Sequence, residues 1–493
     1  MGLVGIVGAG AYVPCRRLQR RSAADAHAWF APGLKTLAKG EKAFANWDED
    51  AITMAVEAAR DALTGHDRAA VSKVLLASTS HPFADRQNAG IVKEALNLPD
   101  AVGVLDLCGS QRAGTSALIE ALDLARAGHR TLCMASEKRN AKPGSETELT
   151  SADGAAALLV GGDNLAAELL GTHTVAIDFV DHFRAEGRRY DYSWEPRWVR
   201  DDGYGKIVVS AIRDALKVVG IAADAVDHFI AATPMRGVNA AMARAVGIPP
   251  DRVVDALMDQ MGDSGATHPL LMLVHALERA KAGETILVVS FGAGCDVLVF
   301  RATGKPAVGG LGVSGWLARR RPENNYVRYL ALKGELELES GMRAEFDQKT
   351  PLTVLYRNRR AVFGLVGVRN PQTGAVQYPP TSLMVGETVG EAGPQEPHPL
   401  ADRQARVVTF TADSLTYSPD PPCCYGAIEF EGGGRMTAEF VDVDPERIEI
   451  GTPMRMMFRV KARDTLRGFT HYFWKATPDY LAVGGADAAQ AAE

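Results

Sequence analysis

The first three hundred residues of this 493-residue chain repeat themselves, and that repeat constrains the fold more than any other feature. EAARDAL (57–63) returns as SAIRDAL (210–216), VSKVLLAST (71–79) as VDHFIAATP (226–234), and ARAGHRTLCMAS (125–136) as AKAGETILVVS (280–290). The echoes keep their order and nearly their spacing. Each copy reads helix, strand, helix, strand. Two such units bury their apolar faces by stacking on one another, so the pattern predicts two similar α/β halves in one domain over residues 1–303. The strands are short Val/Ile/Leu runs, as in a sheet covered on both faces. Asp48 stands before an IxxAVxxAxxAL helical pattern, with acids in the first turn. Gly128 and Gly283 read as stops after helices 113–127 and 268–282.

A chain of this length exceeds one core, so about two to four domains are expected. GKPAVGGLGVSG (304–315) has a linker's composition, and the charged, helical stretch 316–342 extends it into a spacer reaching residue 361. From Phe363 the texture becomes all-β, divided into a segment 362–398 and a domain 399–480. About five short strands in 407–474 suggest a small barrel. The Ala-rich tail 481–493 is expected to be disordered.

Hydrophobic residues make up 46%, charged residues 23%, and the net charge is −6, values ordinary for a soluble globular protein. No basic patch or aromatic-plus-Arg stripe stands out, which argues against nucleic acid as a partner. No apolar run approaches the roughly 18–20 residues of a membrane span. The stretch MGLVGIVGAGAYVPC (1–15) reads as a first strand and not as a signal peptide. Its glycines, Gly8 and Gly10 included, are no dinucleotide fingerprint, because the third glycine and the distal acid are missing, and a nicotinamide cofactor is rejected. Six scattered cysteines without a CxxC pair point to the reducing cytoplasm.

The chemistry concentrates in LDLCGSQRAGTSAL (105–118). A strand over 102–107 runs into a polar turn, and a long helix starts near Ala113. The turn faces the helix N-terminus, where the macrodipole favours negative charge and lowers a thiol pKa. Gln111 holds this place, and its amide neither ionises nor carries an acyl group.

The duplicated region resembles the thiolase superfamily, most closely hydroxymethylglutaryl-CoA synthases of the archaeal and bacterial type. NWDEDAITMAVEAARDAL (46–63) is similar to the segment bearing the family's general-base glutamate, which matches Glu49. LDLCGSQRAGTSAL is similar to the nucleophile segment, SADGAAALLVG (151–161) to a core turn and strand, MGDSGATHPLLML (261–273) to the segment with an active-site asparagine, and VVSFGAGCDVLVF (288–300) to the closing strand pair. The C-terminal region resembles the zinc-ribbon-plus-OB-fold proteins that accompany thiolases and acyl-CoA synthases, through GAVQYPP (374–380) and 411–454. The fold implied is a duplicated thiolase-like αβαβα domain followed by an all-β OB-fold barrel.

Against that resemblance the site is altered. The family cysteine matches Gln111, the family histidine Ala232 (two residues before Pro234), and the asparagine Asp263. Cys108 lies three residues upstream of Gln111, about 10 Å along an extended chain, and reads as a strand-end thiol. Glu49 remains as a base, or as a structural carboxylate. His268 is the candidate for the lost imidazole, against a plain core or surface histidine, while His81 and His182 read as solvated loop residues. The aromatic and Arg-rich run RRYDYSWEPRW (188–198) fits an interface segment, with a lid or CoA-contacting loop as the other reading. In the ribbon, Asn370 and Thr373 stand at the first cysteine pair, so no zinc is expected.

The resemblance implies coenzyme A, as an acyl-CoA substrate, and carbon–carbon bond chemistry. Loss of three polar groups together favours an acyl-CoA enzyme's partner subunit, working with a separate thiolase. One alternative is a stand-alone, Cys-independent retro-aldol or decarboxylating acyl-CoA lyase, using Glu49 or Asp263 as base. Another is condensation through Cys108. A homodimer or a hetero-oligomer is expected.

Overall fold

The computed structural model describes residues 2–346, 349–387 and 392–479. These fall into two compact units, one of residues up to Lys93 with Leu98–Leu336, the other of Glu94–Asn97 with residues from Glu337 onward. The tail expected to be disordered lies outside the described residues.

The first unit is built on a nine-stranded sheet. In chain order its strands are β1 (Gly5–Tyr12), β2 (Lys73–Ala77), β3 (Gly103–Leu107), β4 (Thr131–Glu137), β5 (Gly154–Gly161), β6 (Ala167–Ala176), β7 (His228–Ala231), β8 (Thr285–Phe291) and β9 (Gly294–Ala302). Their order across the sheet is β7-β8-β9-β6-β1-β5-β4-β2-β3. The duplication is visible in that order. β2 and β4 pair in parallel, β4 and β5 antiparallel, and β5 lies against β1. Their echoes repeat this, with β7 and β8 parallel, β8 and β9 antiparallel, and β9 against β6. The halves meet where β1 pairs with β6. β1, β4, β5 and β8 are buried along their whole length, as a sheet covered on both faces requires.

Four helices match the repeat: α1 (Ala51–Ala62), α2 (Ala113–Arg126), α3 (Val209–Val219) and α4 (His268–Leu277). α1 packs on β1 and β5, and α2 packs against α4. Gly10 shows why the first strand is glycine-rich. A Cβ there would lie 2.1 Å from the Ala62 backbone nitrogen, so the glycine admits α1 and serves no phosphate. Two helix ends differ from expectation. The N-cap of α1 is Asp50 and not Asp48: its side chain accepts the Ile52 and Thr53 N–H groups, and Thr53 closes a capping box. No acid lies in the first turn, so Glu49 sits just outside the helix. α4 ends at Leu277, ahead of Gly283.

Residues 304–336, read from sequence as the linker 304–315 and the start of a charged spacer, belong to the first unit. The Asp61 carboxylate accepts the N–H groups of Ala11, Leu311 and Gly312 at 3.0, 2.6 and 2.9 Å. Strand Arg321–Glu323 pairs with Arg16–Gln19. Helix Tyr326–Leu332 buries Tyr329 and Leu332 beside Phe44. A glycine-rich composition marks backbone freedom, and here that freedom is spent on tight backbone contacts to α1.

The second unit carries a three-stranded sheet (Val366–Arg369, Val376–Gln377, Glu396–Pro399) and a six-stranded antiparallel sheet. The latter has six strands where the sequence suggests about five, because the short strand Thr411–Asp413 pairs with Cys423–Phe430 before the long pair Pro453–Asp464 and Phe469–Pro478. Trp474 is buried and donates its indole N–H to the Phe363 carbonyl at 2.7 Å. Asn370, where the ribbon resemblance asks for cysteine, accepts the Gln372 and Thr373 N–H groups and closes a turn by itself.

Candidate active site

A cavity of about 560 Å³ opens in the first unit, and Gln111 lies in its wall. The turn before α2 is tied down on both sides of this residue. Ser110 Oγ and Arg112 Nε donate to the Gly292 carbonyl at 2.8 and 3.0 Å. Asp296, fully buried, accepts from Arg112, Thr115, Ser116 and Thr174 at 2.7–3.0 Å. The backbone of the amide-bearing turn is therefore fixed.

Arg139 is the second central group. It follows the buried end of β4, and its backbone is clamped. Its N–H donates to Asp153 at 2.7 Å, its carbonyl accepts from Lys333 at 3.0 Å, and Lys333 and Asp153 pair at 2.8 Å with both side chains buried. The guanidinium donates to Gln111 Oε1 at 3.3 Å and faces Asp191 at 3.4 Å and Asp263 at 3.8 Å. Burial works against the charge of Arg139. The surrounding carboxylates, led by Asp263 and Asp191, still hold its pKa above the ordinary value, so it remains a cation. Burial also pushes Asp153 upward, but Lys333 wins and holds that carboxyl below its usual range.

Gly265 makes the arrangement possible. Its φ is +60°, and a Cβ there would lie 2.4 Å from Arg139 Nη1 and 2.5 Å from Gln111 Oε1. Its N–H donates to Asp263 at 3.0 Å.

A third wall comes from the segment after β6. Strands His182–Phe183 and Tyr192–Ser193 form a hairpin, with Ser193 opposite His182. Asp181 and His182 pair through Nδ1 at 2.9 Å, and Trp194 N–H donates to the Asp181 carbonyl at 2.9 Å. Asp191 ties the hairpin to Arg139, while Arg189 and Tyr190 tie it to Glu335. A π-helix, Val199–Val208, then brings Val199 and Tyr204 to the cavity, the kind of helix irregularity that collects at functional sites. Burial holds the Tyr204 phenol above its ordinary range, so it stays a neutral donor.

Of the sequence candidates, Gln111 and Asp263 meet in the cavity, together with Ala232 and Pro234. Glu49 and His268 are not in its lining. Glu49 is buried, where it accepts from the Tyr12 hydroxyl and, at 2.8 Å, from the Asn46 N–H. His268 is fully buried, with Nε2 at 2.8 Å from the Ala256 carbonyl and Nδ1 at 3.3 Å from Ser264 Oγ. Cys108 is exposed and also outside the lining. Sequence reasoning missed Arg139 and gave no individual site role to Asp181, His182, Asp191 or Tyr204, all of which line the cavity. The RRYDYSWEPRW run, favoured there as an interface, supplies cavity wall, and His182 is no free loop histidine. A signal for Arg139 was present in the Lys-Arg pair at the carboxyl end of a buried strand, where α/β sites collect.

Comparison with known proteins decides the family. The chain is 32% identical to the hydroxymethylglutaryl-CoA synthase of Caldivirga maquilingensis over 303 residues, covering 60% of this chain and 86% of the relative. The chain belongs to the hydroxymethylglutaryl-CoA synthase family. A second member, from Methanopyrus kandleri, is 30% identical over 308 residues, covering 61% of this chain and 88% of its own. The family model "3-Oxoacyl-[acyl-carrier-protein (ACP)] synthase III C terminal" matches residues 216–299, and "ChsH2, C-terminal OB-fold domain" matches 398–459. The synthase-like unit is thus thiolase-like, and an OB fold follows it. Structural likeness agrees on the fold. A hydroxymethylglutaryl-CoA synthase complexed with CoA superposes with TM-score 0.59 at 18% identity, covering 71% of this chain and 95% of the other. The 3-oxoacyl-(acyl carrier protein) synthase III of Pseudomonas aeruginosa PAO1 gives 0.55 at 21%, covering 62% and 99%. No group of three or more His, Cys, Asp or Glu suited to a metal ion occurs among the described residues, and none of their helices is long and apolar enough to cross a membrane.

Proposed function

We propose that this family member is a Cys-independent acyl-CoA lyase that cleaves a carbon–carbon bond of a β-hydroxyacyl-CoA by a retro-aldol step. The observation that carries this reading is the Gln111–Arg139 pair in a cavity with no thiol in its lining. Because Gln111 Oε1 accepts from Arg139, the amide NH₂ is left to donate. Amide and guanidinium then form a donor set for a thioester oxygen as it gains enolate charge, an electrostatic role worth about 10²–10³ in rate per donor. Retro-aldol cleavage needs that stabilisation and a base for the hydroxyl, with no covalent acyl step. Coenzyme A enters this reading because curated relatives are hydroxymethylglutaryl-CoA synthases.

Of the bases considered from sequence, Asp263 lines the cavity but is engaged by Arg139 and Gly265, and Glu49 is engaged by Tyr12 and Asn46. The decisive experiment uses the purified full chain with a 3-hydroxyacyl-CoA and follows acetyl-CoA and the carbonyl product by mass spectrometry. Cleavage that persists in Cys108→Ser supports the reading, and absence of cleavage sinks it.

A second reading, in which the chain is the partner subunit of a separate thiolase, is favoured by the OB-fold match at 398–459. It expects cleavage or condensation only when a thiolase is added, with a hetero-oligomer in sedimentation. A homodimer active alone speaks for the lyase.

A further inference from the structure

His182 sits where two cavities meet. It lines the cavity that holds Gln111 and Arg139, and it also lines an adjoining pocket of about 270 Å³. Trp194 is shared in the same way. The remaining walls of the smaller pocket are apolar or aromatic: Val180, Phe183, Tyr192 and Trp198. Phe183, Tyr192 and Trp194 are 53–56% exposed, which is unusual for side chains of this size standing together. Ring centroids lie 5.5 Å apart for Phe183 and Tyr192, and 6.4 Å for Tyr192 and Trp194. The cluster is built from the short hairpin, which Asp191 ties to Arg139.

At the junction His182 has an orienting partner. Nδ1 lies 2.9 Å from the Asp181 carboxylate, so with Nδ1–H donating to Asp181 the free lone pair is on Nε2. An imidazole held this way is a general base with its acceptor nitrogen defined.

We propose that His182, oriented by Asp181, is the catalytic base of the retro-aldol step, and that the aromatic pocket receives the carbonyl fragment. The substrates are then β-hydroxyacyl thioesters bearing a bulky apolar group on the carbinol carbon. This rests on the lyase reading. The thioester oxygen faces Gln111 and Arg139, and the hydroxyl faces His182. His182 Nε2 takes the hydroxyl proton, and the oxygen's electron pair forms the C=O bond. The Cα–Cβ bond breaks, and its pair passes to the thioester enolate. The imidazolium returns the proton to Cα. The products are a ketone or aldehyde and a thioester shortened by that fragment, with every atom and electron accounted for.

The test compares two substrates on the wild-type full chain. Both share the same acetyl-thioester half, one with a methyl and one with a cyclohexyl group on the carbinol carbon. The expected result is a kcat/KM at least about tenfold higher for the cyclohexyl compound, a ratio that falls about tenfold in Phe183→Ala and in Tyr192→Ala. His182→Gln should lower kcat about 10²–10⁴-fold with KM within about threefold. Equal cleavage of both compounds, or full kcat in His182→Gln, overturns this inference and leaves the lyase reading standing. Cleavage of neither compound overturns both.

Discussion

Arg139 donates to the amide oxygen of Gln111 at 3.3 Å, and that contact joins a neutral side chain to a cation in the wall of one cavity. The amide's orientation follows from it: the oxygen accepts from the arginine, which leaves the NH₂ to donate elsewhere. At the place where the resemblance leads one to expect a thiol, this chain holds an amide. Gln111→Ala is expected to lower kcat for thioester cleavage about 100-fold with little change in KM, read by steady-state kinetics on the purified chain.

Cys108 lies exposed and outside the cavity lining. Cys108→Ser should keep activity within about twofold. Peptide mapping after incubation with acyl-CoA should find no acyl group on that sulfur at turnover rates, and finding one would restore the covalent route.

Gly265 combines a φ of +60° with a Cβ position 2.4 Å from Arg139 and 2.5 Å from Gln111. Gly265→Ala adds backbone strain and displaces the donor pair together. Expected are a loss of about 1–3 kcal/mol in urea unfolding and a fall in kcat larger than the stability change alone explains. Wild-type kinetics in the variant would show that the pair tolerates displacement.

Lys333 and Asp153 form a buried pair that clamps the backbone of Arg139. Lys333→Met leaves the Asp153 carboxylate without its main partner and should cost about 3–5 kcal/mol at pH 7. The acid dependence follows the same pair. Burial raises the Asp153 pKa and Lys333 more than offsets it, leaving the folded value below the unfolded one. Its contribution is therefore complete above the unfolded carboxylate pKa of about 3.9 and is lost as pH falls through the folded value. Denaturant melts from pH 6 to pH 2.5 should show this loss in wild type and a weaker or reversed one in Lys333→Met.

Lys42 gives a prediction of the other sign. Burial, with Lys333 nearby, pulls its ammonium down to about 7. Between that value and the unfolded one, about 10.4, the unfolded chain binds the extra proton, so this group's contribution rises with pH. Urea unfolding at pH 7 and pH 9 should show a larger gain for wild type than for Lys42→Met. Equal gains would place the Lys42 titration elsewhere.

Much of the fold was legible in the residue order. Duplicated helix and strand patterns, the glycine after α2 and the Gln111 turn are local signals, each carried by periodicity or by one residue's backbone preference. They sufficed for two similar α/β halves followed by an all-β region, while the thiolase-like domain and the OB fold came from the resemblance to known families. The rest of the site depended on contacts distant in the chain. The sequence offers Glu49 and Asp263 alike as site carboxylates, yet Glu49 is bonded to Tyr12 and Asn46 outside the cavity lining while Asp263 lines the cavity beside Arg139 and Gly265. Residues 304–336 read as linker and spacer, and only their packing against Asp61, Phe44 and Asp153 makes them part of the first unit. Arg139 and the Asp181–His182 pair converge because the sheet order and the hairpin bring separate segments to one cavity. Local sequence encodes which elements form, but side-chain convergence is set by the long-range pairing of those elements. The amide could therefore be found from the chain alone, and its partners only from the fold.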